Sequence, residues 1–353
     1  MLKILPYLKL CVERSASDIY YTAGAPAMLR IEGEMHTVGK TQLTGEFIRE
    51  LVLSILTPEQ QELLHKEREI DFATEAGGLG RFRVNAFHQR NTLAMVMRYV
   101  RADIPSLADL AMPDAMKDLA MLKRGLILMV GAAGSGKSTT LAAMLDHRNA
   151  NAAGHLLTIE DPIEFVHTNK RSIINQREVG EDTASYERAL LSSLREAPDV
   201  IQIGEVRKRE TMDACIQLAN TGHLAISTLH ANNTYQALQR IVNLYPDEQR
   251  GQLYLDLGLT LRAIISQRLV RKRDGRRVAA VEVMINTPYV QDLIINQRIE
   301  EIREAMSQSS DRNMQTFDQS LFRLYKEGHI ELEEALINAD SRTNLEAKIN
   351  FGV

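Results

Sequence analysis

Tryptophan is absent from the 353-residue chain, and aromatic residues of every kind make up only 5% of it. A surface that stacks sugars or single-stranded bases needs such rings, so both function classes are disfavoured. The two cysteines, Cys11 and Cys215, are too few for a disulfide framework or a four-thiolate zinc site. Their scarcity leads us to expect a reducing compartment. The formal charge of −4 gives no basic excess of the kind that holds a protein on nucleic acid or an anionic membrane. Long apolar runs are missing as well. The run Leu126–Val130 is far short of the ~20 residues a bilayer-spanning helix needs, and the N-terminal stretch is broken by Lys3, Pro6 and Lys9. No targeting or transmembrane segment is therefore expected. With 44% apolar and 25% charged residues the chain falls in the ordinary globular range, and its length favours two domains.

The first hundred or so residues read as a small α/β domain. A short helix is expected over 2–12, strands over 19–21, 27–31 and 35–38, and a helix opened by Thr44. Thr57-Pro58-Glu59-Gln60 carries a hydroxyl cap, a proline at the first helical position and a glutamine three residues after the cap, a second helix start. Polar and apolar residues alternate over 81–88 and 92–100, which predicts a hairpin of half-buried strands. Residues 101–106, with Pro105, interrupt the pattern and mark a linker.

Beyond it the rhythm is strand then helix. Apolar strands are expected at 125–130, 155–159, 200–203 and 224–228, with helices over 138–148, 185–195 and 210–221. Near-continuous apolar strands separated by helices imply a parallel sheet covered on both faces. From about Gln249 the tail reads as mostly helical, interrupted by a hairpin at Asp274-Gly275.

Gly131-Ala132-Ala133-Gly134-Ser135-Gly136-Lys137-Ser138 fits G-x-x-x-x-G-K-[ST] in full, after a buried strand and before a helix. Its glycines let successive backbone N–H groups face inward onto phosphate oxygens, and the helix N-terminus adds positive charge at the same spot. Lys137 is placed to reach the β- and γ-phosphates, and the Ser138 hydroxyl, followed by Thr139, to ligate Mg²⁺. The chain is therefore expected to bind ATP.

Other strand ends narrow the chemistry, because ligands in such sheets meet the carboxyl ends of the strands. One strand ends in Glu160-Asp161-Pro162, another in Gly204-Glu205-Val206-Arg207, where glycine stands in the usual aspartate place of a Walker B run. Two carboxylates beside a magnesium triphosphate suit hydrolysis: one serves the metal shell, the other orients and deprotonates water. His223 and His230 flank a further strand, and their roles stay open between structure and phosphate contact. The basic run 268–277 reads as a solvated hairpin rather than a nucleic-acid patch.

In this order the P-loop, Thr158–Phe165, Ala197–Arg207 and Thr221–His230 resemble the Walker A, Asp box, Walker B and His box of the secretion ATPase superfamily. With Ala16–Ile19 and Gly80–Val84, the chain is similar over its whole length to the type IV pilus retraction ATPases, the PilT/PilU group. Asn286-Thr287-Pro288 and Met314–Gln319 favour the PilU side. So does 289–296, which keeps the Leu-Ile core but lacks both arginines of the PilT helix A-I-R-N-L-I-R-E. The resemblance implies a PAS-like N-terminal α/β domain over 1–103 and a RecA-like P-loop ATPase domain over 104–353, helical from about 249.

It further implies a cytoplasmic homo-hexamer at the inner-membrane base of the pilus, without nucleic acid, working with a PilT-like ATPase and the platform protein. Its Mg-dependent ATP hydrolysis would drive or assist retraction and twitching motility. The competing reading is a nucleotide-gated docking subunit for PilT whose hydrolysis is dispensable. By the same resemblance Glu160 serves as general base and Glu205 as the magnesium and water ligand, with exchange of the two left open. His230 and His223 sense the γ-phosphate, and Arg83, Arg98 and Arg81 are the arginine-finger candidates.

Overall fold

The computed structural model describes residues 3–31, 33–100 and 103–351. Leu2 of the expected first helix, and Arg101 and Ala102 of the expected linker, lie outside the described residues. The chain divides into two units, 1–103 with 164–166 and 104–163 with 167–353.

In the first unit the elements run α1 (Leu5–Glu13), β1 (Asp18–Tyr21), β2 (Ala27–Ile31), β3 (Glu34–Val38), α2 (Gly45–Leu53), α3 (Pro58–Glu67), β4 (Glu69–Glu75), β5 (Arg81–Gln89) and β6 (Thr92–Val100). Thr44 caps α2 through the Phe47 N–H, and Thr57 with Gln60 forms a reciprocal capping box on α3. The strands pair antiparallel in the order β3-β2-β1-β6-β5-β4. Along β5 the alternation of side chains buries Phe82, Val84 and Ala86 and turns Arg81 and Arg83 to the other face. The buried set packs with Ile48, Leu51 and Val52 of α2 in one core.

The second unit contains α4 (Ala115–Ala120), β7 (Gly125–Val130), α5 (Lys137–Asn151), β8 (His155–Glu160), β9 (Ile173–Glu178), α6 (Tyr186–Ser193), β10 (Val200–Ile203), α7 (Arg209–Asn220), β11 (Leu224–Leu229) and α8 (Thr234–Val242). It continues through α9 (Asp247–Thr260), β12 (Leu261–Arg271), β13 (Arg277–Ile285), α10 (Pro288–Ile295), α11 (Ile302–Ser307), α12 (Phe317–Lys326), α13 (Leu332–Asn338) and α14 (Arg342–Phe351). The seven strands order as β13-β12-β7-β11-β10-β8-β9, parallel except for β13. Every residue of β7, β10 and β11 is buried, as strands covered on both faces require. Alternate residues of β7 feed two cores, Leu126, Leu128 and Val130 on one face, Ile127 and Met129 on the other.

The sequence assigns no strand to 173–178. There β9 forms the sheet edge, and its mixed exposure weakens the pattern that would reveal it. The expected hairpin is much longer than its turn suggests, because β12 joins the sheet beside β7 and β13 extends it. Its turn charges pair locally, Arg276 and Lys272 with Asp274 at 2.7 and 3.3 Å.

Candidate functional site

The parallel register aligns the carboxyl ends of β7, β11, β10 and β8, so their following residues gather along one edge of the sheet. From β7 the chain curls through 131–136 into α5. Gly134 and Gly136 hold φ of +74° and +87°, which side chains rarely adopt. A Cβ at Gly131 would run into the Ser135 side chain, and one at Gly136 would meet the Gln267 amide at 2.7 Å. The loop therefore has no room for a side chain at 131 or 136. Lys137 Nζ turns into it, donating to the Gly131 and Ala132 carbonyls at 2.7 and 2.8 Å, while burial lowers its pKa. Ser138 stands exposed at the start of α5 and Thr139 beside it is half-buried.

Glu160, at the end of β8, is only 8% exposed. Its Oε1 accepts the Thr158 hydroxyl at 2.6 Å and the Gln176 amide at 3.3 Å. These donors set the plane of the carboxylate. Glu205, just past β10, is held instead by charge: Arg207 pairs with one oxygen, and His230 Nε2 lies 3.2 Å from the other. Burial first, then the charges of Lys137, Arg240 and Arg207, lower the His230 pKa, with a backbone contact from Gly131 opposing them. In its contact to Glu205 the ring nitrogen serves as the donor and the carboxylate as the acceptor.

The sequence pairs His223 with His230 as phosphate contacts, and the fold separates them. His223 precedes β11, and its carbonyl accepts the Gly125 N–H at the amino end of β7, the sheet edge away from the P-loop. Its ring contacts Thr221 Oγ1 and the Leu218 carbonyl, as part of the α7 C-terminus. His223 and His230 therefore lie at opposite ends of β11.

In the first unit, Arg83 and Arg98 are direct cross-strand partners. Arg98 Nε donates to the buried Asp18 at 2.8 Å, a bond that raises its pKa, and Arg83 pairs with Glu164 of the same unit at 3.5 Å. Arg81 lies two residues along on the same face.

Three contributors had no local signal. Gln267 on β12 donates to the Ser135 carbonyl at 2.8 Å and accepts the Thr140 hydroxyl at 2.8 Å, pinning the P-loop to α5. Thr158 orients Glu160. Tyr186 explains the glycine in the Walker B run: its hydroxyl lies against Gly204, where any Cβ would collide with it. Burial, then the charges of Asp161 and Glu160, raise the Tyr186 pKa, so this hydroxyl keeps its proton. Gly204→Ala is expected to cost ~1–3 kcal/mol of stability through overpacking. Adding Tyr186→Phe should restore most of that loss, measured as denaturant midpoints of the single and double variants.

A hydroxyl, phosphate oxygens and carboxylates form the hard-oxygen set that Mg²⁺ prefers, so Ser138 and Glu205 fit a nucleotide-bound magnesium. Among the described residues no helix is long and apolar enough to cross a membrane.

Comparison with known proteins agrees with this geometry. The family described as "Type II/IV secretion system protein" matches residues 4–297. The chain is 48% identical to the type IV pilus ATPase PilU of Pseudomonas aeruginosa, over 98% of this chain and 91% of that one. It is 39% identical to the type IV pilus retraction ATPase PilT of the same organism, over 94% and 96%. Among solved structures, the pilus retraction motor PilT with bound ADP superposes with a TM-score of 0.91 at 40% identity, over 97% and 98% of the two chains.

Proposed function

The chain belongs to the type II/IV secretion system protein family, and from that premise we infer that it is a type IV pilus retraction ATPase, active in twitching motility. The observation that carries this reading is the gathering of an intact P-loop, two differently held carboxylates and a histidine at one sheet edge. Relatives matched over nearly their whole length are described as ATPases, which favours hydrolysis here over the docking-subunit alternative.

In the reaction, the backbone N–H groups of 131–136 and Lys137 bind the triphosphate and stabilise charge that develops on the γ-phosphoryl oxygens. Glu160, fixed by Thr158 and Gln176, orients the attacking water and takes its proton. His230 donates to Glu205 and fixes the position of that carboxylate. Ser138 and Glu205 would hold a nucleotide-bound Mg²⁺, which would supply neutralisation of phosphate charge.

The finer reading is PilU-like. We place the protein in the cytoplasm at the pilus base, as a homo-hexamer beside a PilT-like ATPase and the membrane platform protein. Arg83, Arg98 and Arg81 supply the finger to a nucleotide, within a subunit or across to its neighbour. The test is phosphate release with Mg·ATP at increasing protein concentration. Turnover per chain should rise as the ring assembles. Equal turnover in a strictly monomeric sample would rule out shared sites, and release no greater than that of a P-loop variant would overturn the enzyme reading.

A further inference from the structure

Arg268 lies on β12 two residues beyond Ser266, which pairs with Val130 in the parallel register. That register brings its guanidinium to the carboxyl edge of the sheet, along a cleft of about 1080 Å³ that also borders the P-loop. One amino group donates to the Asn338 carbonyl at 2.8 Å, the other to the Asn232 carbonyl at 3.1 Å, and the latter also pairs with Asp340 at 2.7 Å. The guanidinium stacks 3.9 Å from the centre of the buried Phe317 ring. These partners belong to two regions. Asn232 sits in the loop between β11 and α8, two residues after His230. Asn338 and Asp340 form the junction of α13 and α14.

The loop is gripped from a second point. Glu282 on β13 faces Ser266 across the ladder and accepts the Thr234 N–H at 2.8 Å, while only 3% exposed. The carbonyl at 232 and the amide at 234 are thus both fixed to the β12–β13 hairpin. On the far side, Asp318 in the first turn of α12 accepts the amides of Asp340 and Ser341 at 2.8 and 3.2 Å. A single planar group with several donors can hold both regions at once, where a lysine reaches one acceptor with a point charge.

We propose that Arg268 is a positioning residue that holds the His230 loop in its hydrolytic geometry and transmits the state of the nucleotide site to the C-terminal helices. The proposal rests on the ATPase reading above. It identifies 338–341 as the output of that site, reached through the Arg268 side chain.

Amide hydrogen exchange on the full chain, with and without Mg²⁺ and a non-hydrolysable ATP analogue, tests it. In the native protein the analogue should slow exchange at 230–234 and also at 338–341. In Arg268→Gln the response at 338–341 should vanish while that at the P-loop persists. The kcat should fall about tenfold, as expected for one lost charge-assisted contact, with analogue affinity within about twofold. Arg268→Lys should not restore the distant response, and Asp340→Asn should weaken it with little change in kcat. A merely structural arginine would lower thermal stability without separating the two exchange responses. No response at 338–341 in the native chain overturns the proposal. So does its survival in Arg268→Gln, or in Asp340→Asn if Arg268→Gln fails to fold. A native chain that binds the analogue without hydrolysing ATP would sink the ATPase reading instead, and the exchange responses would still decide the coupling.

Discussion

Replacing Lys137 with alanine should reduce ATP turnover by about a thousandfold or more, the scale of removing charge aimed at a developing oxyanion in a water-poor site. The ammonium is the cation lodged in the P-loop cradle, 2.7 and 2.8 Å from two carbonyls of that loop. Its burial lowers the pKa, which means that water solvates it poorly and that phosphate oxygens can replace the lost hydration. Of the two carbonyls it leaves, that of Ala132 is on an exposed residue and that of Gly131 on a buried one, and the backbone bonds of α5 do not involve the side chain. Stability should therefore change by less than ~1 kcal/mol, as for substitutions away from the core. Phosphate release, fluorescent-nucleotide binding and thermal unfolding on one preparation separate these effects. An alanine variant that hydrolyses ATP at the native rate would remove the P-loop from the chemistry.

The parts of the site readable from sequence are those fixed by a single strand end. The P-loop, Glu160, Glu205 and His230 each follow an apolar strand directly, and the sheet only has to align those strands. The separation of His223 from His230 is hidden for the same local reason. A histidine at each end of a strand looks paired in sequence, yet in a parallel sheet the two ends face opposite edges. Gln267 and Arg268 were invisible because their meeting with the P-loop depends on the β7–β12 register, which joins residues over a hundred positions apart. The collision of Tyr186 with position 204 is likewise a tertiary fact. Local motif and hydrophobic period therefore reveal the chemistry, whereas the groups that hold it in place come from packing.

That division bears on which carboxylate takes the proton. Glu160→Gln should lower kcat by ~10²–10⁴-fold, the usual worth of a positioned general base, while ATP affinity stays within a few-fold. Glutamine keeps an oxygen that can accept the Thr158 hydroxyl and the Gln176 amide, so the local geometry is retained and only the basicity is lost. Glu205 is stabilised as an anion by contact with Arg207 and by the His230 N–H. With one oxygen engaged by each partner, this carboxylate suits a structural place near the metal. Glu205→Gln should then raise the Mg²⁺ concentration needed for half-maximal rate and reduce kcat less than Glu160→Gln does. Single-turnover hydrolysis over a magnesium series distinguishes the two. The reverse pattern, with Glu205→Gln abolishing the chemical step at saturating Mg²⁺ and Glu160→Gln shifting only the metal requirement, would transfer the base to Glu205.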